Sequence, residues 1–203
     1  MSSSVSRSDI LNASKAVARA MGTKPYALVG GAACQLLGSQ RTTKDVDFVV
    51  CENKTGDARE LLKKSGEFTI DPRTKHTNYG EVVIEILAPP GLYRGKFDEN
   101  TPTQQVDGVK ILSTLQLLDS KCQALNIRPT AAQKITDAAD IKFLLELLTA
   151  SGGPLTNAKE QVPHADEQFI RGYKLKYGEA PWEKAGFALV SKYPLPAHMQ
   201  LRR

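Results

Sequence analysis

Strand-length apolar runs and helical spacings are interspersed along this chain to about residue 112, and helical patterns alone follow it. Ile10, Val17 and Met21 recur near helical spacing after Ser8 or Asp9, and Gly22 closes the run, which predicts a first helix. Tyr26-Ala27-Leu28-Val29 is an unbroken apolar run of strand length, and residues 32–37 suit a short helix behind the Gly30-Gly31 pair. Asp45-Val46-Asp47-Phe48-Val49-Val50 reads as a second strand that opens on two carboxylates. Residues 56–64 read as a helix with Ala58, Leu61 and Leu62 facing in, and Asp71-Pro72-Arg73 breaks the pattern. Glu81-Val82-Val83-Ile84-Glu85-Ile86-Leu87 is apolar on both faces, as expected of a central strand. Pro89-Pro90-Gly91 stops it, and residues 92–104 are rich in polar and turn-forming types and are expected to form a loop. Gln105-Val106 and Val109-Lys110-Ile111 flank Asp107-Gly108, a strong signal for a two-residue hairpin.

Past residue 112 the pattern turns helical. Ser113-Thr114-Leu115-Gln116 fits a capping box, and a helix is expected to follow to about residue 125. A Leu-rich helix should start at Pro129 or Thr130, run to about residue 150 and end at Gly152-Gly153-Pro154. Residues 166–178 and 181–193 each read as a helix, with Trp182 as a packing anchor. The expected organisation is an α/β unit over 1–112, a mixed sheet flanked by helices, followed by a helical unit over 113–203.

Composition narrows the class only a little. A chain of 203 residues, 41% apolar and 24% charged, is ordinary for a globular protein. Cys34, Cys51 and Cys122 are too few and too scattered for a disulfide framework or a C-x-x-C zinc site, and are expected to be buried thiols of a reducing compartment. His76, His164 and His198 lack ligand spacing, which argues against a zinc hydrolase. No run approaches the roughly 18 apolar residues of a membrane span, and the Ser-rich start lacks the apolar core of a secretory signal. The cytoplasm, with the nucleus as alternative, is the expected compartment. A net charge of +5 is compatible with anionic ligands but too weak and dispersed to identify one.

The chemistry concentrates at the strand ends. Residues i and i+2 of a strand project from one face, so Asp45 and Asp47 point the same way and could share divalent cations. Hard oxygen ligands suit magnesium, which keeps several waters and takes only a few carboxylates. Gly30 and Gly31 let the backbone approach a phosphate closely. Glu85, between Ile84 and Ile86, is a third acidic group, and a carboxylate buried there would need a metal, a partner or a solvent cleft. In the segment before the aspartates, Arg41 and Thr43 are the best candidates for triphosphate oxygens. A second constellation lies in the helical half: Asp119, Lys121, Arg128, Lys134, Asp137 and Asp140. Asp137 shares a helical stripe with Ile141, Leu144 and Leu148, so its charge is either paired internally or turned to a site.

Gly30-Gly31, Arg41-Thr42-Thr43-Lys44-Asp45-Val46-Asp47 and the later Asp119-Ser120-Lys121, Arg128, Lys134, Asp137 and Asp140 resemble the AbiEii-like nucleotidyltransferases, within the superfamily of minimal and polymerase-β-like nucleotidyltransferases. The resemblance covers roughly residues 25–148. It implies a nucleotidyltransferase-fold mixed sheet and a helical bundle closing over a nucleoside triphosphate. Asp45 and Asp47 would bind Mg2+, or Mn2+ in its place. Gly30 and Gly31 would contact the phosphates, and Lys121 and Asp137 would face the reaction centre. The acceptor in toxin members can be the end of a tRNA; RNA, protein and small-molecule hydroxyls are all open here. A serine often follows the first glycine in the superfamily, where this chain has Gly31. The competing expectation is a catalytically idle nucleotide-binding or interaction module that keeps the fold.

Overall fold

The computed structural model describes residues 5–152 and 154–187. Helix α1 (Arg7–Met21) starts earlier than its apolar pattern suggests, because Ser6 is the N-cap. The Ser6 hydroxyl accepts from the Asp9 N–H, and the Asp9 carboxylate accepts from the Ser6 N–H at 2.8 Å, a reciprocal capping box. Strand β1 (Tyr26–Val29) is buried throughout and leads directly into α2 (Gly30–Leu36), so the glycine pair is the first turn of that helix. Strand β2 (Asp45–Val50) and helix α3 (Thr55–Ser65) follow.

Two short strands, β3 (Thr69–Ile70) and β4 (Thr77–Tyr79), add an edge that the sequence pattern did not predict. Strand β5 (Val82–Leu87) has neighbours on both sides, but its burial alternates: Val82, Ile84 and Ile86 are buried, whereas Val83 and Glu85 face outward. The expectation of a strand apolar on both faces is corrected here, because one face of β5 lies under the core and the other is open. Strand β6 (Thr103–Val106) takes its first two residues from the segment read as loop and pairs in a hairpin with β7 (Val109–Leu112), and Asp107 and Gly108 both have positive φ as a tight hairpin turn requires.

The strands form one seven-stranded mixed sheet in the order β3-β4-β5-β2-β1-β7-β6. Strands β2 and β5 run parallel, as do β1 and β7, while β1 and β2 are antiparallel. Helix α1 packs against β2, β5 and β7 and against α3. Helix α4 (Thr114–Ile127) begins at Ser113, whose hydroxyl accepts from the Gln116 N–H, and pairs closely with α5 (Ala131–Gly152). A short α6 (Ala158–Gln161) and α7 (Glu167–Tyr177) complete the helices described. The described part of the expected last helix, residues 181–187, is a series of turns, and residues 188–193 lie outside the described residues. Gly186 lies in these turns at φ +97°, its Cα so close to the Leu155 backbone that any side chain would collide with it. Trp182 is fully buried among Phe169, Tyr173 and Phe187, as a packing anchor should be. Cys34 and Cys122 are buried free thiols, and Cys51 is only half-buried. No helix among the described residues is long and apolar enough to cross a membrane.

Candidate active site

Strand β2 places Asp45 and Asp47 at its start with alternating burial, so both carboxylates leave the same face, away from the buried Val46 and Phe48. Asp47 is the register partner of Glu85 on the parallel strand β5, and Asp45 that of Val83. Paired residues of adjacent strands share a face, so Glu85 joins the aspartates there. Glu85 is exposed rather than buried, which removes the cost that its apolar neighbours seemed to impose. Burial, then the charges of Asp45 and Glu85, lift the Asp47 carboxyl to about 7, although Lys121 and Arg128 pull the other way. A cation between these carboxylates would relieve that repulsion, and oxygen donors are the chemistry magnesium takes. Among the described residues no three His, Cys, Asp or Glu side chains form a ready-made cage. An ion here would rest on two carboxylates and draw its other ligands from water and substrate.

The two glycines are required for different neighbours. Gly30 has φ +66°, and a Cβ on it would overlap the Asp47 carboxylate. A Cβ on Gly31 would meet the Arg41 guanidinium and come within 2.8 Å of Thr43 Oγ1. Thr43 in turn donates from Oγ1 to Asp45 Oδ1 at 2.6 Å, which fixes that carboxylate. Gly30, Gly31, Arg41, Thr43, Asp45 and Asp47 are therefore one contiguous cluster, with Gly31 and Thr43 buried within it. Arg7 holds the segment leading into β2 from the other side, donating to Ser39 O and Gln35 O at 2.8 Å each.

The helical constellation is a chain of ion pairs. Lys121 on α4 reaches Asp137 Oδ1 at 2.8 Å and Asp140 Oδ2 at 2.7 Å, both on α5. Arg128 donates from Nε to Asp137 Oδ2 at 2.7 Å, and Arg41 grips Asp140 with Nε at 2.8 Å and Nη2 at 3.1 Å. The side chain of Asp140 is wholly buried and those of Asp137 and Lys121 nearly so. Burial alone would lower the Lys121 pKa, but Asp140 and Asp137 outweigh it and raise it, so the lysine stays charged. Lys134 and Asp119 stand outside this chain: Lys134 borders a groove with Asn126 and Tyr173, and Asp119 pairs with His164.

Between the carboxylate face and α4 opens a cleft of about 180 Å³. Gly30, Asp47, Lys121 and Arg128 line it, together with residues that the sequence did not single out: Leu92, Tyr93 and Arg94 from the loop after β5, and Gln123 and Ile127 from α4. Their signal in the sequence is weak. Ser120, Lys121, Ala124 and Ile127 share one helical face, but nothing along the chain says which face meets a site.

No protein-family model matches the chain, and no curated protein matches its sequence. Solved structures do match its shape. An antigenic nucleotidyltransferase-like protein from Paracoccidioides brasiliensis superposes with a TM-score of 0.64 at 22% identity, over 89% of this chain and 93% of that one. A putative nucleotidyltransferase from H. pylori gives 0.54 at 15% identity, over 86% and 82%. ANT(2'')-Ia in complex with adenylyl-2''-tobramycin gives 0.50 at 12% identity, over 84% and 99%. The mixed sheet, its flanking helices and the helical pair behind it make this chain one with the nucleotidyltransferase fold.

Proposed function

We propose that this chain is a metal-dependent nucleotidyltransferase, moving a nucleoside monophosphate from a nucleoside triphosphate to a hydroxyl acceptor. One observation carries the reading: Asp45, Asp47 and Glu85 share a sheet face beside Gly30, where burial and then the two neighbouring carboxylates lift Asp47 to about 7. Asp45 and Asp47 would hold Mg2+, or Mn2+ in its place, which when bound neutralises triphosphate charge and favours in-line attack at the α-phosphorus. Glu85, open to solvent on the same face, is the group to take the proton of the attacking hydroxyl. Gly30 and Gly31, with Arg41 and Thr43 against them, form the cluster for the phosphates. Lys121 lines the cleft and brings positive charge toward the carboxylates, and Asp137 fixes its position.

The resemblance to the AbiEii-like branch makes RNA, including the end of a tRNA, the first acceptor class to try. The adenylyl-tobramycin held by ANT(2'')-Ia makes small hydroxylated molecules the second. Incubation with each triphosphate labelled at the α-phosphate, magnesium and each acceptor class tests the reading. Label should pass to one class and stay with the triphosphate in Asp47→Asn. Transfer that survives in Asp45→Asn and Asp47→Asn would remove the carboxylate pair from the mechanism.

A further inference from the structure

Asp119 and Gln123 lie one turn apart on α4, on one helical face. Across from them, in the link between α6 and α7, is His164. Asp119 Oδ1 accepts from the His164 backbone N–H at 2.9 Å, and Oδ2 lies 2.9 Å from His164 Nδ1. An ionised carboxylate only accepts, so Nδ1 carries the hydrogen, and in the neutral imidazole Nε2 is then an acceptor. Its neighbour is Gln123 Nε2, at 3.1 Å. Two nitrogens can bond only if one donates, so the amide NH2 of Gln123 gives its hydrogen to the ring. Gln123 lines the cleft, and the ring leaves its amide oxygen unused.

We propose that Gln123 reads the nucleobase of the bound triphosphate through this amide oxygen, with Asp119 and His164 as positioning residues that hold the amide in that sense. The inference rests on the nucleotide reading above. The walls of the cleft suit a flat ring: Leu87, Leu92, Ala124 and Ile127 line it with Gln123, and Leu92 and Ile127 are 74% and 50% exposed. Gly30 and Asp47 line the same cleft, so a base seated there is connected through its ribose to phosphates at the carboxylate pair. A carbonyl oxygen accepts and cannot donate. It pairs with the exocyclic amino group of adenine or cytosine and opposes the carbonyl that hypoxanthine or uracil carries at the same position.

The test is calorimetry of the intact chain with the magnesium complexes of ATP, ITP, CTP and UTP. ATP should bind about tenfold more tightly than ITP, or CTP than UTP, as expected when one hydrogen-bonded acceptor faces a second acceptor instead. In Gln123→Leu and in His164→Leu that preference should disappear while thermal unfolding stays cooperative. A His164 that only ties the α6–α7 link to α4 would change melting and leave base choice untouched. Equal binding of the members of both pairs by the wild-type chain, a comparison that needs no variant to fold, overturns the inference alone. So does a preference that survives in either variant. Failure of all four triphosphates to bind overturns the nucleotide reading and this inference with it.

Discussion

At position 30 the backbone is left-handed and the missing Cβ makes room for the Asp47 carboxylate, so any side chain there strains the chain and disturbs the acidic pair together. Gly30→Ala should cost about 1–3 kcal/mol of stability and abolish magnesium-dependent triphosphate binding. Gly31→Ser, which introduces the serine common in the wider superfamily, should also destabilise, because Arg41 is pinned by Asp140 and Thr43 by Asp45 and neither can yield freely. Chemical denaturation checks both. Asp47 gives a prediction in pH. Its carboxyl rises from 3.8 to about 7 on folding, so the folded metal-free chain holds that proton more tightly than the unfolded chain. Its contribution to stability is then fully present below about pH 4 and is lost as the pH climbs through about 7, by at most about 4 kcal/mol. Melting curves with a chelator should show this decline in the wild type and not in Asp47→Asn. Added magnesium should stabilise more at pH 8 than at pH 5.5, because metal and proton compete for one carboxylate.

The joint between α4 and α5 is where element-scale energetics concentrate. Lys121 sits against two buried carboxylates, and removing one partner of such a network leaves uncompensated charge in the interior. Lys121→Met should therefore cost about 3–5 kcal/mol, whereas Arg128→Met, at a side chain 41% exposed, should cost about 1 kcal/mol or less. Equal losses on thermal denaturation would contradict the geometry. Legibility in the sequence follows the same logic of range. Strands β1 and β2 match their apolar runs residue for residue, because each is short, buried and bounded by glycine or charge. Strands β3 and β4 escape notice because they hold two and three residues with polar types among them, on a sheet edge that needs no apolar pattern. The carboxylate pair was legible because its two members are neighbours along the strand. The Arg41–Asp140 contact joins residues 99 apart, and the His164–Gln123 contact residues 41 apart, and no periodicity encodes either.

Across the whole molecule, one continuous core links the sheet to the helices, from Ile10 and Phe48 through Leu118 and Leu145 to Trp182. Trp182 packs against Phe169, Tyr173 and Phe187, none of which lines the cleft beside the carboxylates. Trp182→Ala should destabilise by about 3–5 kcal/mol and leave the affinity for a magnesium–triphosphate complex unchanged in the fraction that remains folded. The function of this molecule turns on whether the carboxylate face holds a metal-bound triphosphate. The most direct measurement is calorimetric titration of the chain with the four nucleoside triphosphates, with magnesium and with a chelator, in the wild type and in Asp47→Asn. Binding of at least one triphosphate that requires magnesium and vanishes in Asp47→Asn is the predicted result. Binding indifferent to both magnesium and Asp47, or no binding at all, would contradict it.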